Sequence, residues 1–144
     1  MNLGFDFPNL PYIIDGDFKI TESIAVAKYV IKRSGKKELL GKNSQDEGKV
    51  NAIICILREV VGAFIGLCFN PDHEKQKIEL LEKHRPKLNY IKDFIGDKQF
   101  ALGYLTLADF YLAEQLAYFE ALFPSEHKNF AFWWRIRHNF EELP

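Results

Sequence analysis

Few residues of this chain are spaced for chemistry, and most of those stand alone. Cys55 and Cys68 lie thirteen positions apart within one apolar helical repeat, a separation of roughly 20 Å at about 1.5 Å rise per residue. They cannot bridge each other there, and neither sits beside a basic cluster that would favour a thiolate, so both are read as buried, reduced and without chemistry. His73, His84, His127 and His138 share no metal-ligand spacing. No metal is expected, and each histidine is read as solvated or capping. Two short polar runs remain. Thr21-Glu22-Ser23 precedes an apolar repeat, and a helix starting there offers unpaired N–H groups and a partial positive charge that suit a carboxylate. Thr21 or Ser23 can equally serve as a plain N-cap. Leu105-Thr106-Leu107-Ala108-Asp109-Phe110 has the spacing of a capping box. Thr106 receives the Asp109 amide, Asp109 reaches back to the Thr106 amide, and Leu105 can staple onto Phe110.

The elements that must position these residues follow from periodicity. Tyr12-Ile13-Ile14, Asp15-Gly16 and Asp17-Phe18-Lys19-Ile20 read as strand, turn, strand, because an Asp-Gly pair between apolar β-formers is a strong hairpin signal. Ile24, Ala27, Val30 and Ile31 then recur at helical spacing as far as Ser34-Gly35, completing a β-β-α unit. The polar, glycine-bounded stretch from Gly35 to Asn43 carries no period and reads as a linker. Beyond it everything reads as helix. Val50, Ile53, Ile54, Leu57, Val61, Phe64, Ile65 and Cys68 form one stripe over about six turns. After the break at Asn70-Pro71-Asp72, a second helix turns Ile78, Leu81, Leu88 and Ile91 inward, bent at Pro86, and stops at Gly96. The capped helix carries Tyr111, Ala113, Leu116, Ala117 and Leu122, and a last one carries Phe130, Trp133, Trp134, Ile136 and Phe140.

Composition narrows the function classes. At 144 residues, 47 % hydrophobic and 15 % aromatic, the chain has enough apolar surface for one core and is short for two complete domains. A formal net charge of -1 gives no footprint for nucleic acid or anionic lipid. The first six residues have neither a basic nor an apolar leader region, and no stretch reads as the roughly 20 apolar residues of a membrane span. A cytoplasmic protein is expected.

The segment from Phe5 to Gly16, Phe-Asp-Phe-Pro-Asn-Leu-Pro-Tyr-Ile-Ile-Asp-Gly, is similar nearly residue for residue to the glutathione-site segment of mu-class glutathione transferases. The resemblance continues through Lys19-Ile20-Thr21-Glu22-Ser23, through Cys68-Phe69-Asn70-Pro71-Asp72-His73-Glu74-Lys75 and through the capping box, and so covers essentially the whole chain. It implies a mainly α fold: a partial thioredoxin-like, glutathione-site β-β-α unit over residues 1–34, a linker over 35–45, and an all-helical bundle of the transferase C-terminal type over 46–144. It also implies site residues. Leu10-Pro11 matches a cis-proline turn whose leucine backbone pairs with the cysteinyl part of glutathione, a role for which an X-Pro bond is suited. Asn9 belongs to the same glutathione segment. Ser23 matches a residue whose hydroxyl and amide hold the γ-glutamyl carboxylate; Glu22 stands where the mu class usually has Gln, and can bind the ligand ammonium. Glu59 falls where the family has an acid that reaches the neighbouring subunit's glutathione. Phe7 matches an aromatic inserted between the first two helices of the partner's helical domain, which implies a homodimer. Phe69 replaces a tyrosine that assists the electrophile, leaving position 69 as hydrophobic lining.

In the family a β-α-β segment precedes this one and carries the tyrosine that stabilises the glutathione thiolate. The chain begins after it, and nothing near Pro11 or Ser23 offers a replacement. No catalytic residue is therefore assigned, and no cofactor beyond glutathione as ligand or co-substrate. A two-stranded hairpin with an unpaired edge also needs covering. The expectation is a glutathione-transferase-like subunit with a structural, weakly active or non-catalytic role in a protein assembly. The alternative is a piece of an active transferase that conjugates glutathione to small electrophiles.

Overall fold

The computed structural model describes residues 4–144. It is mainly helical, with a two-stranded antiparallel hairpin, β1 (Tyr12–Asp15) and β2 (Phe18–Thr21), leading into α1 (Ser23–Ser34). Asp15 pairs with Phe18, so the turn residues are Gly16 and Asp17, one position later than the expected Asp15-Gly16. Only Gly16 takes positive φ, at 62°. A glycine at the first turn position suffices here because the primed turn with glycine first asks for positive φ there alone. Tyr12 is 45 % exposed, and its ring meets Phe5 at 5.0 Å. In α1, Ile31 is buried and Val30 is exposed, contrary to the inward reading of Val30.

The stretch after α1 is more than a spacer. A 3-10 turn over Lys37–Leu40 buries Leu40 and packs Leu39 on the core. α2 (Ser44–Cys68) begins at Asn43, whose side chain accepts the Asp46 amide at 2.9 Å. Its 25 residues make about seven turns, not six. It buries Val60 and Leu67 in addition to the expected stripe, while Ile65, Cys55 and Cys68 are exposed, so the two thiols are not buried. By length and hydropathy α2 could cross a bilayer, which the sequence reading excluded. Its apolar residues instead pack on α3 (His73–Ile95) and α4 (Leu107–Leu122), the arrangement of a core helix.

α3 continues through Pro86 and buries Leu81, Leu88, Ile91 and Ile95; Ile78 faces solvent. His84 is buried too, so its expected solvated or capping role does not hold. The side chain of His127 lies outside the described residues. α4 buries Leu112 and Phe119, which the sequence stripe missed, and leaves Ala117 exposed. The miss has a cause: α4 is apolar nearly all round, and periodicity loses its contrast on such a helix. A 3-10 segment over Pro124–Phe130 leads to α5 (Ala131–Glu141). Trp133 there is fully buried, donates its indole N–H to the Leu112 carbonyl at 2.6 Å, and stands 5.1 Å from the Phe119 ring. This aromatic contact closes the bundle.

The capping box forms at the start of α4. The Thr106 amide and hydroxyl donate to Asp109 Oδ2 at 2.8 and 2.9 Å, and the Ala101 amide donates to Oδ1 at 2.6 Å. Burial pushes the Asp109 carboxyl above its ordinary range against the pull of those donors. The Phe110 ring packs edge-on against Phe140 at 4.8 Å.

Candidate functional site

The hairpin register builds the site. Because Tyr12 faces Thr21 in an antiparallel pair, the residues just before β1 and just after β2 arrive together at one end of the hairpin. Those residues are Asn9, Leu10 and Pro11 on one side and Glu22 and Ser23 on the other. The Leu10-Pro11 bond is cis, as its motif predicts. Asn9 ties the two sides together: its Nδ2 donates to Glu22 Oε1 at 2.7 Å, and its Oδ1 accepts the Leu10 amide at 2.9 Å. Thr21, buried beneath, donates its hydroxyl to the Phe7 carbonyl at 2.6 Å and so holds the preceding loop down.

Neither Thr21 nor Ser23 caps α1 with its side chain. Glu22 occupies the N-cap position with φ 72° and ψ 118°, and no side chain accepts from the first turn. It is the single non-glycine residue with positive φ among the described residues, a conformation that costs roughly 1–2 kcal/mol. The first helical bond runs from the Val26 amide to the Glu22 carbonyl at 2.9 Å. The amides of Ser23, Ile24 and Ala25 are thus left without a helical partner, with no acidic side chain in the first turn. Leu10 is 77 % exposed. An extended ligand along Leu10 with a carboxylate at the α1 terminus would meet backbone groups at one end and aligned amide dipoles at the other.

Other expected site residues stay apart from this cluster. Glu59 lies on the face of α2 that meets α3, where Lys87 donates to its carboxylate and holds it below the usual range. Phe69, 84 % exposed, follows the end of α2. Phe7 is 76 % exposed and lines a cleft of about 340 Å³ with Phe5, Phe18 and Ala25. Asp15, at the far end of β1, accepts the Tyr29 hydroxyl at 2.6 Å and the Arg33 guanidinium at 3.0 Å. The hydrogen bond from Tyr29, and then the charge of Arg33, hold its carboxyl below the ordinary value.

A second cleft of about 300 Å³ opens beside Ser23, between α2 and α4. Arg58, Gly62 and Ile65 line it from α2, and Tyr111, Glu114 and Gln115 from α4. Sequence reasoning missed it. The signal lay in the spacing of positions 58, 61, 62 and 65, one face of a helix, but the α4 wall is a tertiary fact. A third, almost wholly apolar groove of about 240 Å³ lies between α2 and α3, formed by Ala52, Ile53, Ile56, Tyr90, Ile91 and Phe94.

Known proteins resemble the chain in sequence and in fold. No protein-family model matches the chain. Chicken glutathione S-transferase 2 is 38 % identical over 109 residues, covering 75 % of this chain and 48 % of its own length. Glutathione S-transferase Y1 of Cricetulus longicaudatus is 36 % identical over 123 residues, with 85 % and 55 % covered, and mouse glutathione S-transferase Mu 1 is 38 % identical over 109 residues, with 75 % and 49 % covered. The chain thus spans about half the length of these relatives. Among solved structures, the glutathione S-transferase Blo t 8 superposes with a TM-score of 0.80 at 28 % identity, covering 99 % of this chain and 68 % of that one. Rat hPGDS complexed with a quinoline shares the fold, with a TM-score of 0.81 at 24 % identity, 94 % of this chain and 69 % of that one being covered. With sequence and fold both pointing the same way, the chain belongs to the glutathione transferase family, with mu-class proteins among its relatives.

Proposed function

We infer that this chain holds glutathione at the cis-Leu10-Pro11 turn and the α1 N-terminus, as one subunit of a homodimer. The observation that carries the reading is the junction itself: an exposed cis-proline turn, cross-tied by Asn9 to Glu22, beside a helix start whose first amides have no helical partner. In this reading Leu10 pairs with the cysteinyl backbone, displacing Asn9 Oδ1 from its amide. The Ser23 end takes the γ-glutamyl carboxylate, and Glu22 takes the ammonium. The homodimer reading is supported by Phe7, exposed on its loop, and by the apolar groove of about 240 Å³ between α2 and α3. Glu59, paired with Lys87 at the edge of α2, would have to exchange that partner to reach a neighbour's ligand. The setting we propose is cytosolic. The domain division that goes with this reading puts the glutathione-site unit at residues 1–34, a linker at 35–45 and the helical domain at 46–144.

The role of the described residues is binding and assembly more than conjugation. Stabilising a thiolate needs a donor or positive charge beside the sulfur; the Tyr29 hydroxyl is committed to Asp15, and Phe69 has none to offer. Calorimetric titration with glutathione should show one site per chain, and Ser23→Ala should weaken it about tenfold, the effect of losing a hydrogen bond to a charged group. Absence of heat with millimolar glutathione would refute the site. A second reading, a conjugating transferase acting on small electrophiles, is favoured by the relatives' names. Turnover of 1-chloro-2,4-dinitrobenzene by the purified 16.8 kDa chain, well above the rate of glutathione alone, would establish that reading over the structural one.

A further inference from the structure

Thr21 ends β2 buried, 5 % exposed, with its hydroxyl donating to the Phe7 carbonyl at 2.6 Å. Its backbone is fixed by its place opposite Tyr12 in the hairpin, and the next residue is Glu22, which aims the start of α1. Thr21 therefore reaches both sides of the junction: along the chain to Glu22 and Ser23, and through its hydroxyl to the segment that carries Leu10 and Pro11. That segment has no core of its own. Residues 6–11 are all exposed, and Pro8 and Pro11 fix two of the φ angles within it, so the freedom left to it is to swing as a unit. Among the described residues, two side-chain hydrogen bonds hold it to the hairpin and α1: Thr21 to Phe7, and Asn9 to Glu22. They are not equivalent. The Asn9 bond is exposed, where water competes for both partners, and bound glutathione would draw on both residues, displacing Asn9 Oδ1 from the Leu10 amide and bringing its ammonium to Glu22. The Thr21 bond is partly buried and apart from the ligand's contacts, so it persists when the site is filled.

We propose that Thr21 is a positioning residue of this site: its hydroxyl, acting through the Phe7 carbonyl, holds the Leu10-Pro11 turn in place against the first amides of α1. This deepens the glutathione reading and rests on it for the identity of the ligand. Without the hydroxyl the turn leaves its place, and apparent affinity falls in proportion to the fraction of molecules still competent to bind; a competent fraction of about one tenth means about tenfold weaker binding.

The test compares Thr21→Val, which keeps the β-branched shape and withdraws the donor, with Thr21→Ser, which keeps the donor. In calorimetric titration with glutathione, Thr21→Val should bind about tenfold more weakly, the order of one lost hydrogen bond, and Thr21→Ser should bind close to the wild type. Amide spectra of free Thr21→Val should change at Asp6, Phe7, Asn9 and Leu10 and not in α2 to α5. Gly41→Ala, altered outside the site, serves as the control for stability and should bind glutathione as the wild type does below its thermal midpoint. Undiminished binding in Thr21→Val, no recovery in Thr21→Ser, an equal loss in Gly41→Ala, or spectral changes spread through the bundle would overturn the proposal. A wild type that binds no glutathione would refute the glutathione reading, and the amide spectra would then decide alone: changes confined to residues 6–10 keep Thr21 as the anchor of the turn, and their absence removes it.

Discussion

Glu22 and Asn9 show how single residues define this site. A strained backbone at Glu22 aims the start of α1, and the Asn9 side chain fixes the proline turn against it. His84 makes a different point. It is buried in the interior, edge-on to Phe64 at 5.9 Å, with Nδ1 unpartnered. Burial, reinforced by Lys83 and Lys87 and opposed by Glu59, holds its pKa below the ordinary 6.5. The unfolded chain therefore takes up the proton first, and stability falls as pH drops below about 6.5 until the folded value is passed. Urea denaturation across pH 5–8 should show that slope, and His84→Leu should flatten it while adding about 1 kcal/mol at neutral pH. Asp109→Ala should act the other way, costing about 2–4 kcal/mol, because the buried amides of Ala101 and Thr106 lose their acceptor. The same denaturation assay checks it.

Among the elements, α2 depends on the tight join before it. Gly41 has φ 130°, and a Cβ there would lie within 2.8 Å of the Asp46 carbonyl carbon and closer still to the Glu47 amide. Backbone cannot yield as a side chain tip can, so Gly41→Ala should destabilise the chain by about 2 kcal/mol or more. A fall in the thermal midpoint with helix content retained below it would be the signature. How far the elements can be read from sequence varies for physical reasons. The capping box and the end of α1 at Ser34 depend on residues within a few positions of one another and are legible locally, whereas the cis turn at Leu10-Pro11 follows only from the family resemblance. The hairpin slipped by one residue because Asp-Gly and Gly-Asp are both turn pairs in the same string. Leu40, Val60 and Phe119 escaped notice because burial is decided by what packs opposite. The two cysteines read as buried from their place in an apolar repeat, and hydrophobicity alone does not say which face a helix turns inward. The cleft beside Ser23 needed the α2–α4 packing and could not be read from either helix separately.

At the scale of the molecule, the helical bundle is well closed and the hairpin is not. Tyr12, Ile14 and Phe18 are each close to half exposed, whereas Trp133, Leu112 and Ile136 are almost completely enclosed. Stability therefore resides in the bundle, and the hairpin is the part for which a partner matters most. If Phe7 seats in a neighbour's groove, Phe7→Asp should convert the protein from dimer to monomer in sedimentation velocity, with its thermal midpoint little changed. A dimer that persists through that change, or a monomeric wild type, would contradict the interface. The claim on which the account most depends is the placement of glutathione at the turn. Amide chemical-shift mapping with millimolar glutathione tests it directly: the account predicts changes concentrated at Leu10, Tyr12, Glu22, Ser23 and Ile24. Shifts confined to other surfaces, or none at all, would contradict it.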